Sequence, residues 1–266
     1  MLYSDRTYIM GILNVTPDSF SSSGKFADPD AALERAIDML EEGADIIDVG
    51  GESTRPGAAF VSAEEELERV IPVIEKISAN IDAKISIDTY KAVVAKEALN
   101  AGASIVNDIW GLKAEPEMAK VVAATDAQVV LMHNRQNTIY KDFLDDVLQD
   151  LKESLAIAQN AGVKMANIIL DPGFGFAKST EQNLYLLKNM EILLELALPV
   201  LVGTSRKSMI GNTLDLPTDQ RLEGTIATAV MAIMKGANII RVHDIKAMFR
   251  TARMTDAILR ADLGGI

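Results

Sequence analysis

The residues Tyr8-Ile9-Met10-Gly11-Ile12-Leu13-Asn14-Val15-Thr16-Pro17-Asp18-Ser19-Phe20 set the reading of the whole chain. An apolar run of strand length carries one polar residue, Asn14, near its exit, and breaks at Pro17, which cannot donate to a strand ladder. A buried parallel strand reads as near-continuous Val, Ile and Leu, so an Asn at its end asks for a reason. The pattern recurs down the chain: apolar run, polar residue at its C-terminal end, loop, amphipathic helix. Strands are predicted over 8–15, 44–49, 84–88, 104–109, 128–133, 168–171, 199–203 and 239–243.

Helical spacing fills the intervals. Over 29–42, Leu33, Ile37 and Leu40 share a face and Gly43 suits the stop. Ser62 with Glu65 reads as a capping box opening 63–78. Helices follow over 90–100, 115–124, 143–161, 181–198, 219–235 and 245–260, several of them stopping at a glycine. Eight strand–helix units fit a (β/α)8 barrel, which commonly needs about 250 residues; an open doubly wound sheet is the competing arrangement. No Ser/Gly linker or low-complexity stretch divides the 266 residues, so residues 1–266 are expected to form a single domain.

Composition narrows the partners. The net charge of −12 argues against nucleic acid, whose phosphates would be repelled. An anionic small molecule would then need local cations, which makes each strand-end Arg or Lys informative. The absence of cysteine rules out a disulfide framework and thiolate metal ligands. Neither a signal peptide nor an apolar run of roughly 20 residues is present, so no membrane role and a cytoplasmic location are expected.

In a barrel the strand ends converge on one face, where such folds place their chemistry. Those ends carry Asn14, Asp48, Arg55, Asp88, Asn107-Asp108, Met132-His133, Asp171, Lys207, and Arg241 with His243-Asp244. Asp88, Asn107 and Asp171 suit a neutral ring with several N–H groups; Asn14, Arg55, Arg241 and His243 suit an anion. Ordinary readings compete. Asp48, Asp108 and Asp244 read better as helix caps or turn formers, and His133 as a core histidine. Asp88 resists that reading, because an unpaired carboxylate inside an apolar strand would be expensive.

The blocks Gly11–Phe20, Glu52-Ser53-Thr54-Arg55-Pro56-Gly57, Ser86-Ile87-Asp88-Thr89, Asn107-Asp108-Ile109, Asp171-Pro172-Gly173-Phe174-Gly175-Phe176, Gly203-Thr204-Ser205-Arg206-Lys207-Ser208 and Arg241-Val242-His243-Asp244 occur in order along the chain. In these seven blocks the sequence resembles the dihydropteroate synthase family, pterin-binding barrels of folate biosynthesis. Ser22-Ser23 is a small departure, where that family has a more Asp/Gly-rich turn. The resemblance implies condensation of 6-hydroxymethyl-7,8-dihydropterin pyrophosphate with p-aminobenzoate, by an SN1-like displacement of pyrophosphate. It implies a pterin pocket of Asp88, Asn107, Ile109, Met132, Asp171, Phe176, Gly203 and Lys207. Asn14, Arg55, Arg241 and His243 would hold the pyrophosphate, with Asn14 also ligating Mg²⁺. Phe20, Thr54, Pro56 and Ser208 would shape the p-aminobenzoate site. Asp88, Lys207, Arg55 and Arg241 would be catalytic. Loops 16–25 and 51–61 are expected to close over bound pyrophosphate, which implies that the pterin binds first. Excess apolar residues on the last helices (Met231, Ile233, Met234, Met248, Phe249, Met254, Ile258) fit either a wide core face or a homodimer contact, and the family resemblance leans to the homodimer. A pterin-binding methyltransferase and a catalytically silent paralogue are the alternatives; Arg55, Lys207 and the Arg241/His243 pair weigh against the first, and Asn14, Arg55, Lys207 and Arg241 against the second.

Overall fold

Short runs of Ile, Val and Leu become parallel strands here because both faces are covered, one by helices and one by the opposite strands. The computed structural model of the chain describes residues 3, 5–16, 28–53 and 60–262. Loop expectations at 17–25 and 54–59, and with them Phe20, Thr54, Arg55 and Pro56, lie outside the described residues.

The strands are β1 (Tyr8–Asn14), β2 (Ile46–Gly50), β3 (Lys84–Asp88), β4 (Ile105–Asp108), β5 (Gln128–Met132), β6 (Ile168–Asp171), β7 (Leu201–Val202) and β8 (Ile239–Val242). They form one parallel sheet in the order β6-β5-β4-β3-β2-β1-β8-β7. The remaining seam, β6 to β7, is joined by a parallel bridge between Leu170 and Val200 and by Leu170 N–H donating to Pro199 O at 2.8 Å. Pro199 offers no N–H at that seam, which is one reason the contact stays short. The arrangement is the barrel, not the open sheet.

Helices α1 (Pro29–Glu41), α2 (Ala63–Asn80), α3 (Ala92–Asn100), α4 (Pro116–Thr125), α5 (Phe143–Ala161), α6 (Thr180–Lys188), α7 (Ser208–Leu214), α8 (Leu222–Met234) and α9 (Ile245–Leu259) accompany the strands. Three details depart from expectation. The buried face of α1 is Ala32, Ala36 and Met39, and Ile37 points outward. The helix predicted over 181–198 is two pieces: α6 stops at Asn189, whose side-chain N–H₂ bonds Tyr185 O at 2.8 Å, and a 3₁₀ turn over Met190–Leu196 follows. Helix α7 went unpredicted, since seven residues are too few for a periodic signal. Ser62 does cap α2, accepting from Glu65 N at 3.2 Å, but the Glu65 carboxylate pairs with Arg69, so only half of the expected capping box is formed.

Strand side chains alternate faces, so residues two apart share one. Inside the barrel a layer of Met10, Ile46, Ile105, Val130, Ile169, Leu201 and Ile239 packs against Tyr3. Two residues onward on the same strands stand Ile12, Asp48, Asn107, Met132, Asp171 and Arg241. One step along each strand therefore turns an apolar plug into a polar floor. Among the described residues no helix is long and apolar enough to cross a membrane.

Candidate active site

Arg241 is the hub of that floor. Its Nε donates to Asp48 Oδ2 at 2.6 Å and its Nη2 to Asp88 Oδ2 at 2.6 Å. Asp48 Oδ2 also accepts from Asn107 Nδ2 at 3.1 Å. Asp48 is fully buried and Asp88 nearly so. Burial disfavours the guanidinium, but the two carboxylates outweigh it and hold Arg241 firmly charged. Burial likewise pushes the Asp88 carboxyl well above the ordinary carboxylate range; Arg241 pulls it back and the Asp48 charge pushes it further up. Asp48 Oδ1, Ser86 Oγ and Asp88 Oδ1 are buried without a partner among the described residues.

The β6 loop forms the next wall. Asp171 is buried and its Oδ1 accepts from Gly173 N at 2.7 Å. The Lys207 ammonium donates to Phe174 O and lies 4.8 Å from the Phe176 ring centroid. Burial lowers Lys207 to about 8, with Asp171 opposing and Arg241 assisting the shift. Burial raises Asp171, partly offset by Lys207. At the β8 end His243 Nδ1 meets Ser205 Oγ at 2.9 Å. A cavity of about 610 Å³ opens above, lined among others by Asn14, Asp88, Phe176, Lys207, Arg241 and His243.

The sequence-predicted residues on the cavity thus converge from five strand ends, those of β1, β3, β6, β7 and β8. Gly203 and Ser208 also line the cavity. Asn107, Ile109, Met132 and Asp171 are buried and do not line its open part. Asn107 reaches Arg241 through Asp48, and Met132 pairs in register with Asp171. Phe20, Thr54, Arg55 and Pro56 are outside the described residues.

Two ordinary readings are corrected. Asp48 is no cap: it is the shared acceptor for Arg241 and Asn107. Asp244 opens α9 without a side-chain cap bond and instead pairs with Arg206 at 2.5 Å. Asp108 is a turn former as read, taking Trp110 N at 2.8 Å and Leu112 N at 2.7 Å. Sequence reading also passed over Glu52, which joins Glu66 on the buried Lys91 ammonium, both at 2.5 Å, and accepts from Val61 N at 3.1 Å. The phase of Ile46-x-Asp48 against Ile239-x-Arg241 would have pointed to Asp48. For Glu52 no local signal exists.

Among the described residues no cluster of three His, Cys, Asp or Glu side chains could hold a metal alone. A cation here would take Asn14, exposed at the end of β1, together with oxygens of an anionic ligand. Mg²⁺ sites are commonly of that kind, keeping several waters and leaning on substrate phosphates.

Residues 10–243 match the pterin-binding enzyme family. Dihydropteroate synthase of Clostridium beijerinckii is 57% identical over 257 residues, covering 96% of both chains. That of Bacillus subtilis is 55% identical over 264 residues, covering 99% of this chain and 92% of its own. Among solved structures, the Clostridium difficile enzyme with pteroic acid superposes with a TM-score of 0.95 at 53% identity, covering 98% of this chain and all of the other. The Yersinia pestis enzyme with a sulfonamide drug complex gives 0.90 at 44% identity, covering 96% and 95%.

Proposed function

The chain belongs to the dihydropteroate synthase family of pterin-binding enzymes, and from that premise we propose how its residues divide the reaction. The enzyme is a transferase of folate biosynthesis that joins 6-hydroxymethyl-7,8-dihydropterin pyrophosphate to p-aminobenzoate, releasing pyrophosphate. It works as a single pterin-binding barrel domain.

Asp171 accepts from the 2-amino group and ring N–H of the pterin, the guanidine-like edge for which a carboxylate is the natural bidentate partner. Asn107 meets the remaining ring nitrogens, and Lys207 donates to the opposite edge. Ile109, Met132, Phe176 and Gly203 wall the ring. Asn14, Arg55, Arg241 and His243 hold the pyrophosphate. Ser208, with Phe20, Thr54 and Pro56, receives p-aminobenzoate.

The observation that carries this reading is the Arg241 guanidinium shared between Asp48 and Asp88 on the cavity wall. Arg241 is fully compensated before substrate arrives: one cation faces two carboxylates. A pyrophosphate that takes up Arg241 draws it from Asp88, whose carboxylate then faces the positive charge left on the exocyclic methylene as the C–O bond breaks. That suits a dissociative, SN1-like displacement by a weakly nucleophilic arylamine. Because Arg241 comes already neutralised, the described cations fall short of a diphosphate's charge, and this supports a divalent cation held by Asn14. Mg²⁺ there would supply charge neutralisation for the leaving group.

The test is pyrophosphate release that requires both substrates, measured for the parent chain and for Asp88→Asn. Turnover should fall far more than pterin affinity; equal losses in both would sink the Asp88 assignment.

The apolar residues of the last two helices divide. Ile233 and Met248 are core, whereas Met231, Met234, Met254, Ile258 and Leu259 are exposed on α8 and α9. Exposed apolar patches of this kind mark interaction surfaces, and we assign this one to a homodimer. Light scattering should give twice the chain mass, reduced to one by Met254→Lys with Ile258→Lys; a monomeric parent would refute it.

A further inference from the structure

Lys178 follows the β6 loop and lies outside the cavity lining, yet it is 9% exposed. Its ammonium has three N–H groups and finds three acceptors: His133 Nδ1 at 2.8 Å, Gly173 O at 2.9 Å and Phe176 O at 3.1 Å. With Nδ1 accepting, the histidine proton sits on Nε2, which donates to Asp150 Oδ2 at 3.0 Å. Asp150 is held from outside by Arg135 Nε at 2.5 Å. Burial keeps His133 neutral, lowering it to about 4, and lowers Lys178 to about 7 with Asp171 opposing.

The β6 loop offers its carbonyls to two lysines. Lys178 takes Gly173 O and Phe176 O; Lys207 takes Phe174 O between them. The same turn is closed by Phe176 N donating to Gly173 O at 3.2 Å, and Gly173 N fixes the Asp171 carboxylate at 2.7 Å. Every group assigned to the pterin edge on this side is therefore referenced to a turn that Lys178 clamps from behind.

We propose that Lys178, oriented by the Asp150–His133 pair, is a positioning residue for pterin recognition: it sets the turn that aims Asp171 and seats Lys207. This rests on the assignment of Asp171 and Lys207 to the pterin. Lys178 touches no substrate, so it acts on the pterin subsite and leaves the p-aminobenzoate subsite, on the α7 side, alone.

Dissociation constants for dihydropterin pyrophosphate, by titration calorimetry without p-aminobenzoate, test this on the full chain with Lys178→Met, His133→Leu and His133→Gln. Lys178→Met and His133→Leu should weaken binding at least tenfold while KM for p-aminobenzoate moves less than twofold. His133→Gln should stay within threefold of the parent, because a Gln side-chain oxygen can still accept from Lys178. An Asp171→Asn control separates the two layers of inference. Affinity lost in Asp171→Asn but kept in Lys178→Met overturns the positioning role; affinity kept in both overturns the site assignment and the role with it. Should Lys178→Met not fold, Asp150→Asn decides: a loss of threefold or more in pterin affinity with unchanged KM for p-aminobenzoate supports the role, and parental affinity overturns it.

Discussion

Asp48 touches nothing outside the protein in this reading, yet its removal should be felt in both stability and rate. Its Oδ2 serves Arg241 Nε at 2.6 Å and Asn107 Nδ2 at 3.1 Å in a fully buried position. Asp48→Ala leaves a buried guanidinium with one counter-charge and an amide donor with none, a change worth about 3–5 kcal/mol when one partner of a buried pair is deleted. For a chain of this length that is roughly 6–20 °C in melting temperature, at about 2–4 °C per kcal/mol. Asp48→Asn keeps an acceptor for both donors and exchanges charge-assisted bonds for neutral ones, a loss of about 1–2 kcal/mol. It also removes one of the charges that raise Asp88. If the ionised Asp88 carboxylate is the active form, the acid limb of kcat/KM must move to lower pH in Asp48→Asn. Pyrophosphate release against pH, beside thermal melts, measures both effects. An acid limb that stays put or moves upward, or an Asp48→Ala protein melting within a degree of the parent, would refute the reasoning.

Two further outcomes follow from the β6 loop and its support. His133 titrates near 4 in the fold against 6.5 in the unfolded chain, so unfolding takes up a proton between those values. Its contribution is intact above pH 6.5 and is lost as pH falls to 4, an effect on the order of 3 kcal/mol. His133→Gln should flatten the stability curve over that window in denaturant melts, and an unchanged slope would contradict it. Gly173 has φ +70, and a Cβ there would lie 1.9 Å from His133 O. Gly173→Ala therefore combines left-handed strain of about 1–2 kcal/mol with a backbone clash. Calorimetry should show a melting temperature well below the parent's; an equal one would mean the turn is not held as described.

What could be read from the sequence was what repeats. The strands, the barrel, and the polar residues at strand ends all follow from short, near-continuous apolar runs and an apolar-to-polar change at each exit. Asp48 escaped because its meaning lies in a partner 193 residues away; seen locally, an Asp before Val-Gly-Gly is a turn residue. Lys178 escaped for the same reason, since a lysine after a Gly/Phe loop looks solvated until His133, 45 residues earlier, is folded against it. Helix α7 and the break after α6 are decisions of single turns, made by Asn189 and by packing of Met209 and Ile210. The outward rotation of Ile37 shows the limit of reading a stripe: small Ala32 and Ala36 let α1 approach the barrel more closely than the larger residues would.

The two layers inside the barrel explain why a buried ion cluster is tolerable at all. Moving two carboxylates and a guanidinium out of water is costly, and a well-packed apolar set of similar volume would commonly be the more stable filling. The Met10, Ile46, Ile105, Val130, Ile169, Leu201 and Ile239 plug, together with the helix-facing core, supplies the burial that lets the next layer go without it. The cluster is then free to be organised for charge rather than for cohesion. Asp48 sits locked beneath, so on the proposed assignment Arg241 would keep its direction when a diphosphate competes for it, and Asp88 alone would be left to exchange partners. That asymmetry between two carboxylates on one arginine, one deep and engaged by Asn107 as well, the other at the cavity wall, is what would turn a structural ion pair into a site that can respond to a charge appearing beside it.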